Sequence, residues 1–217
     1  DLFNGFESTP LETVGDMLAM VEEGAYPVIG SDQALFVRSE DRFQASEYRN
    51  HVEEYTIGHS AAFLAKERAT GQPYMTCALA RVNASWNELT EPARFAAAKA
   101  GLRPPEFNPF ANNVAQAVEV VDALVRCAAI CRKLASGGYE GTTEPVAFTV
   151  RAGRGMGFTE APRGSLFHEL EVDEAGTIMK ANIITPTSQN IANLEADMRV
   201  LAQSLADAGA PLDDIRL

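Results

Sequence analysis

The sequence is poor in positive charge. Lys and Arg together number 18 against 30 Asp and Glu in 217 residues, which gives a formal net charge of −12. Nucleic acids and anionic membrane surfaces are bound through basic patches, so this balance argues against both as partners. No apolar run approaches the roughly 20 residues of a membrane span. With 46% hydrophobic residues the composition is typical of a soluble chain that buries a core.

Cysteine is also scarce. The three cysteines, Cys77, Cys127 and Cys131, are too few and too odd in number for a disulfide framework. They form no closely spaced pair of the kind that holds zinc or an iron–sulfur cluster. The composition therefore predicts an acidic protein of a reducing compartment that binds no metal through these thiols.

The two ends carry no targeting signal. The chain begins at Asp1 without a basic and apolar leader, and it stops after Asp213-Asp214-Ile215-Arg216-Leu217 without a recognisable tail. We expect both ends to be internal positions of a longer polypeptide.

Several helices are predicted from capping residues and apolar spacing. A capping box at Thr9-Pro10 predicts a helix to about Glu23, ended by Gly24, and Tyr26–Gly30 is expected to turn into a short strand. A second helical stretch is expected over Arg42–Ala69. Further helices are predicted from Thr90 to Gly101 and from Asn112 or Asn113, as the cap, to Gly137-Gly138.

The pattern changes after Gly141. Val146–Val150 is predicted to be a strand, and Leu166–Val172 and Thr177–Ile184 flank a turn as in a hairpin. Ser188 is expected to cap a final helix that ends near Gly209 and Pro211. We therefore predict a single region of α+β class, predominantly helical. Residues 1–140 are expected to be mainly helical, 141–186 to hold a small antiparallel sheet, and 187–210 to form a helix.

Most familiar catalytic motifs are absent. The glycines of Gly153–Gly157 do not have the spacing of a nucleotide loop, and no hydrolase triad is present. We interpret His51, His59 and His168, taken singly, as structural hydrogen-bonding residues.

Two segments are better candidates for a site. In Glu160-Ala161-Pro162-Arg163-Gly164 the rigid Ala-Pro step restricts where the Arg163 guanidinium points, although residue types alone favour a surface salt bridge to Glu160. Thr185–Asn190 joins a strand to a helix N-terminus, which suits either an anion site or plain capping by Thr187 or Ser188.

Together these segments resemble the large subunit of nickel–iron hydrogenases. The resemblance rests on Gly157–His168, which reads G-x-x-E-A-P-R-G-x-L-x-H, and on Pro186–Asn190. His51–Glu54, Ala78–Asn83 and Asn108–Asn113 agree with the family in order, the last with its soluble, cofactor-reducing branch. Cys77-Ala78 replaces the Gly-Pro of the family.

The resemblance implies reversible oxidation of dihydrogen to protons and electrons, which pass to NAD(P)-type electron-transfer subunits through an iron–sulfur small subunit. It implies a nickel–iron centre with carbon monoxide and cyanide ligands, held by two C-x-x-C motifs that this sequence lacks. We therefore expect this chain alone to hold no nickel and to be inactive. A cytoplasmic location is expected.

The same resemblance assigns site residues. Arg163 would lie beside the metals and act on substrate or cyanide, Pro162 would line the pocket of the diatomic ligands, and Thr187 would hydrogen-bond a cyanide. Glu160 and His168 would lie around the metal centre. The Ile183 carbonyl would fall where the family binds a divalent cation such as magnesium.

Two alternatives stay open on sequence grounds. One is a metal-free relative, the quinone-proximal subunit of respiratory complex I, which typically carries Lys where Arg163 stands. The other is a non-catalytic scaffold whose interaction face is the long helix of Val114–Leu134.

Overall fold

The computed structural model describes residues 11–27, 31–138 and 144–211. The predicted turn into a strand at Tyr26–Gly30 reaches past residue 27 and so lies partly outside the described residues. The strands are β1 (Asp16–Val21), β2 (Gln33–Phe36), β3 (Arg42–Gln44), β4 (Val52–Tyr55), β5 (Leu64–Glu67), β6 (Tyr74–Met75), β7 (Gly153–Ala161), β8 (Gly164–Val172) and β9 (Ile178–Ile184). The helices are α1 (Tyr48–His51), α2 (Ala78–Ala84), α3 (Glu91–Lys99), α4 (Asn112–Ala135) and α5 (Pro186–Asp207).

Strand β1 is the centre of the molecule. It pairs antiparallel with β2 and parallel with β6, and β3 completes a four-stranded sheet in the order β3-β2-β1-β6. All six β1 residues are buried. Met17 and Ala19 pack into a core formed with α2, α3 and α4, whereas Leu18 and Met20 pack into a core that includes Phe158 and Phe167 of β7 and β8.

The predicted helix from Thr9-Pro10 to Glu23 is wrong over its described residues. A strand that is covered on both faces carries an unbroken apolar run instead of alternation, and such a run does not distinguish strand from helix. Thr9 and Pro10 themselves lie outside the described residues.

The predicted helix over Arg42–Ala69 is also wrong. This stretch holds strand β3, the single turn α1, and the hairpin of β4 with β5. Phe43, Val52 and Leu64 are buried on these separate elements, so their irregular spacing reflects three short elements, not one helical face. The described part of the interval 1–140 thus contains six strands besides its helices.

The middle helices are confirmed. Helix α3 follows Thr90, with a proline in its first turn, and α4 runs 24 residues to Ala135. The capping prediction for α4 is wrong in detail, because Ala111 occupies the N-cap and no side chain bonds there. Asn108 instead caps the short 3-10 turn Pro109–Ala111 that leads into α4, its side chain accepting from the Phe110 amide.

The hairpin prediction is confirmed, and β7 extends it to a three-stranded antiparallel sheet in the order β7-β8-β9. The predicted strand Val146–Val150 is not formed. Pairing begins only at Gly153 opposite Val172, where β8 ends, so residues 144–152 have no strand beside them in this sheet. The glycines of Gly153–Gly157 lie inside β7 and form no loop.

Helix α5 packs mainly against strands β5 and β6. Its N-cap is Thr185, whose hydroxyl accepts a hydrogen bond from the Ser188 amide, so the prediction of Ser188 or Thr187 as cap is wrong. The predicted end is confirmed, since α5 stops at Asp207 and Gly209 has a φ of +75°. Within residues 11–27, 31–138 and 144–211, no helix has the length and apolarity needed to cross a bilayer.

Candidate active-site turn

The structure brings the two predicted site segments side by side. Residues 160–164 form the end of β7, a tight turn and the start of β8; we call this the 160–164 turn. Asn190, in the first turns of α5, donates to the Thr76 carbonyl at 2.9 Å and to the Arg163 carbonyl at 3.5 Å. Its side-chain oxygen accepts from the Thr76 amide at 2.7 Å. Thr76 therefore links the turn to α5.

Gly164 is required by this close packing. Its φ is +132°, a conformation that residues with a Cβ rarely adopt. A Cβ at this position would lie 2.5 Å from the Thr76 carbonyl oxygen, which is backbone and does not move aside easily. The next residue, Ser165, donates its amide to the Thr76 hydroxyl at 2.7 Å. The turn is thus in close contact with Thr76 and hydrogen-bonded to it.

Gln189 completes the link from inside the core. Its side chain is fully buried, and its amide nitrogen donates to the Ser165 carbonyl at 2.6 Å. Its oxygen accepts from the Tyr74 hydroxyl at 3.0 Å. Both polar ends of a buried amide are therefore satisfied, as burial requires.

Glu160 does not form the surface salt bridge to Arg163 that residue types favoured. It is buried, and its Oε2 pairs with the guanidinium of Arg81 at 2.9 Å. Its Oε1 accepts from the Met20 amide at 2.7 Å and from the Ser165 hydroxyl at 2.8 Å. A buried carboxylate needs such partners, whereas Arg163 lies exposed at the tip of the turn.

Arg81 is the charged centre of this region. Its Nε and Nη2 form two 2.7 Å hydrogen bonds to the two oxygens of Glu119. Its Nη1 also donates to the Ala161 carbonyl at 3.0 Å, and Nη2 donates to the Pro162 carbonyl at 3.2 Å. Burial by itself lowers the pKa of Arg81, but the bonds and charges of the two carboxylates outweigh it, so its pKa lies above the usual value.

Neighbouring groups respond to this burial. Burial raises the pKa of Glu160 although Arg81 counteracts it. Burial and the adjacent Glu119, which accepts from the Tyr26 hydroxyl at 2.6 Å, raise the pKa of Tyr26. Two carboxylates share one guanidinium here.

The 160–164 turn borders a cavity of about 670 Å³. Pro162 and Arg163 form one side, and residues 116–127 of α4 form the other. Its lining residues are Tyr26, Arg81, Gln116, Glu119, Val120, Asp122, Ala123, Arg126, Cys127, Glu160, Ala161, Pro162 and Arg163. The predicted Arg163 therefore faces a cavity of the size that small ligands occupy.

Thr187 and Ile183 line a different, smaller cavity of about 260 Å³, which also includes Glu54 and Phe63. The structure thus links the two predicted segments through the Asn190 side chain and Thr76, but the side chains of Arg163 and Thr187 open onto separate spaces.

The three histidines lie apart from these cavities. His51 pairs with Asp41 at 2.7 Å and stacks on Phe43, and His59 contacts Glu195 at 3.5 Å. His168 is exposed on β8, opposite Gly157 and Ile183.

The described residues offer no ligand set for a metal. No group of three or more His, Cys, Asp or Glu side chains converges within the described ranges. The three thiols lie in different environments. Cys77 is buried and accepts a hydrogen bond from the Ala80 amide at the start of α2, while Cys127 and Cys131 are exposed on α4. Burial raises the pKa of the Cys77 thiol to about 11, which disfavours the thiolate that a metal needs. A nickel–iron centre does not fit these residues as its ligands.

Comparison with known proteins finds relatives among hydrogenase subunits. No protein-family model matches the chain. The alpha subunit of sulfhydrogenase 1 from Pyrococcus furiosus is 33% identical over 184 residues, covering 82% of this chain and 40% of that protein. A vhu F420-non-reducing hydrogenase subunit of Methanococcus voltae is 28% identical over 224 residues, covering 94% of this chain and 52% of that protein.

Both relatives are large (alpha) subunits of hydrogenases, as the motif resemblance predicts. The fold agrees: the solved structure of an NAD+-reducing NiFe hydrogenase in the H2-reduced state matches with a TM-score of 0.67 at 20% identity, over 89% of this chain and 44% of that one. The α+β fold predicted from the sequence is thereby confirmed. The chain spans about half or less of the length of these relatives, at 40% and 52% of the two curated proteins.

Sequence reasoning missed the residues that hold the turn. Arg81, Glu119, Thr76 and Gln189 were not predicted as site residues. Arg81 gave a usable signal, because a lone arginine among the apolar residues of Ala78–Val82 must find a buried partner once that helix is buried. Its partners follow 38 and 79 residues later in the chain, and no local pattern names them.

Proposed function

We propose that this chain forms part of the catalytic large subunit of a nickel–iron hydrogenase, an enzyme that oxidises dihydrogen reversibly to protons and electrons. The observation that carries the proposal is the 160–164 turn, which matches the family motif and is braced so that Arg163 faces the cavity of about 670 Å³. The hydrogenase names of the relatives support the same enzyme class and favour it over a complex I component.

The metal centre would supply the binding and splitting of dihydrogen when it is bound. Its cysteine ligands would come from outside this chain, because the sequence contains no C-x-x-C motif and the described residues contain no ligand cluster. The family resemblance adds carbon monoxide and cyanide on the iron, and a magnesium ion near the Ile183 carbonyl. Glu54 in the same small cavity is a suitable oxygen donor for such a cation.

The residues of this chain would form the protein wall of that centre. Arg163 would present its planar guanidinium to substrate or to a cyanide, and Pro162 would exclude water beside it. Thr187 is exposed in the first turn of α5 and would donate its hydroxyl to a cyanide from the side of the smaller cavity, which is separate from the cavity that Arg163 borders. Glu160 would support the centre indirectly, through the backbone of the 160–164 turn. His168 would lie around the centre on the exposed side of β8.

The partners would be NAD(P)-type electron-transfer subunits together with an iron–sulfur small subunit, and the location would be cytoplasmic. The NAD+-reducing hydrogenase with the same fold supports the choice of electron-transfer partner. The net charge of −12 supports the exclusion of nucleic acid and of anionic membranes.

Metal analysis of two samples tests this proposal. The 217-residue chain, incubated with nickel and desalted, is expected to retain far less than one nickel per chain and to show no hydrogen-dependent dye reduction. The complete gene product, purified with its partners, is expected to contain about one nickel per large subunit and to reduce the dye. Stoichiometric nickel in the chain alone, or a complete product without nickel and activity, would contradict the proposal.

A further inference from the structure

We propose that Arg81 is a positioning residue for Arg163: its guanidinium fixes the backbone of the 160–164 turn and thereby the direction in which Arg163 enters the cavity. The expected effect of Arg81 on activity rests on the proposed function. The contacts themselves are independent of it.

The geometry is specific to a guanidinium. Arg81 donates to the carbonyls of Ala161 and Pro162, the two residues directly before Arg163, at 3.0 and 3.2 Å. The same planar group binds both oxygens of Glu119 at 2.7 Å and one oxygen of Glu160 at 2.9 Å. A lysine ammonium has three donors at one point and does not span these separated acceptors.

The clamp has little freedom of its own. The Arg81 side chain is 4% exposed and that of Glu160 is 2% exposed, so water does not replace lost contacts readily. Glu119 anchors the guanidinium from α4 on the opposite side, and Tyr26 donates to Glu119 in turn. Arg81 and Glu119 themselves line the cavity, and loosening Arg81 frees the carbonyls of the turn while the Arg163 side chain is kept.

Arg94 provides a matched control. Its guanidinium also donates to two backbone carbonyls, those of Asn87 at 2.9 Å and Leu89 at 2.7 Å, but it does not line the cavity. Both Arg94 bonds leave from one nitrogen, Nη1, so Arg94→Lys controls for the exchange of arginine for lysine at a backbone-binding position away from the 160–164 turn.

The test combines Arg81→Lys with Arg163→Lys in the complete gene product purified with its partners. If Arg81 acts through Arg163, the single Arg81→Lys variant loses about tenfold in kcat, since small misplacements of a reacting group cost that much or more. The double variant is then no slower than Arg163→Lys alone, within about twofold, because coupled residues are not additive. Arg94→Lys is expected to leave the kcat unchanged in either background.

Hydrogen exchange supplies a readout that does not depend on activity. In Arg81→Lys the amides of Arg163 and Gly164 are expected to exchange about tenfold faster, whereas Arg94→Lys leaves them unchanged. Glu119→Gln, which weakens the anchor but keeps Arg81, is expected to shift exchange and kcat in the same direction by a smaller factor. If Arg81→Lys does not fold, Glu119→Gln replaces it in the same measurements.

The outcomes separate the two proposals. Unchanged exchange at the turn in both variants, or a double variant whose loss equals the product of the single losses, would overturn the role of Arg81 while leaving the proposed function intact. A complete gene product without hydrogen-dependent activity would overturn the proposed function, and the exchange measurement would still decide whether Arg81 holds the turn.

Discussion

At the scale of single residues, Gly164 is a position of the turn that has no room for a side chain. Its φ of +132° and the 2.5 Å approach of a built Cβ to the Thr76 carbonyl oxygen give two separate reasons for glycine. Gly157, in neighbouring β7, has no atom within 4 Å of its built Cβ. The two glycines therefore differ in packing although both lie in the motif.

We predict that Gly164→Ala lowers the free energy of unfolding by about 2 kcal/mol or more, through strain and the forced shift of Thr76. Gly157→Ala is the control and is expected to change stability by less than about 0.5 kcal/mol. Urea unfolding of the purified chain measures both. Equal effects of the two substitutions would show that the turn is not held against Thr76 as described.

The position of Arg163 could be predicted from the sequence, but its surroundings could not. The Ala-Pro-Arg-Gly order restricts the backbone locally, and that restriction is visible in the residues themselves. The predicted salt bridge between Glu160 and Arg163 is wrong. Arg163 is near Glu160 in the sequence, but Arg81, its true partner, comes near only after α2 and β7 have packed. Long-range pairing of buried charges depends on the tertiary fold, which residue types do not specify.

At the scale of elements, Glu169 ties β8 to β7 and α1. Arg154 of β7 donates to it at 3.0 Å, Arg49 of α1 at 3.2 Å and the Tyr48 hydroxyl at 2.9 Å. The hydrogen bond from Arg154, followed by those from Arg49 and Tyr48, lowers the pKa of Glu169 to about 2.

The stabilisation from Glu169 should therefore depend on pH. Because its pKa is lower in the folded state than the usual value near 4.3 in the unfolded chain, the contribution is complete above that value and is lost as pH falls towards about 2. The two arginines are half-exposed, so solvent screens the pairs and we expect only about 0.5–1 kcal/mol at pH 7. Chemical unfolding of wild type and Glu169→Gln at pH 7, 4 and 2.5 measures this difference, and a difference independent of pH would contradict it.

Which elements were predictable follows from their environment. Helices α3, α4 and α5 each show a polar face or clear terminal signals, and the sequence predicted all three. Strand β1 is buried on both faces and so lacks the alternation that identifies a strand. The glycine-rich start of β7 lacks the side chains that favour strands, and only its pairing with β8 makes it one.

At the scale of the whole molecule, the described chain buries only part of its apolar surface. Helix α4 packs through Val114, Ala115 and Val118 near its start, whereas Val120, Leu124, Ile130 and Leu134 are each more than half exposed. The exposed face continues from the cavity that Arg163 borders, since Val120 lines that cavity. The candidate site therefore lies at the boundary between the packed core and an open apolar face.

The proposed function requires the 160–164 turn to present Arg163 to the reacting centre of a hydrogenase. The most direct test is hydrogen-dependent dye reduction by the complete gene product carrying Arg163→Lys, with nickel and iron contents measured on the same sample. Arg199→Lys is the control, since Arg199 is 80% exposed on α5.

We predict that Arg163→Lys lowers kcat by about 100-fold, as loss of a preorganised donor does, while metal content stays at the wild-type level and Arg199→Lys keeps full activity. Wild-type activity in Arg163→Lys with the metals in place would show that Arg163 does not act at the reacting centre.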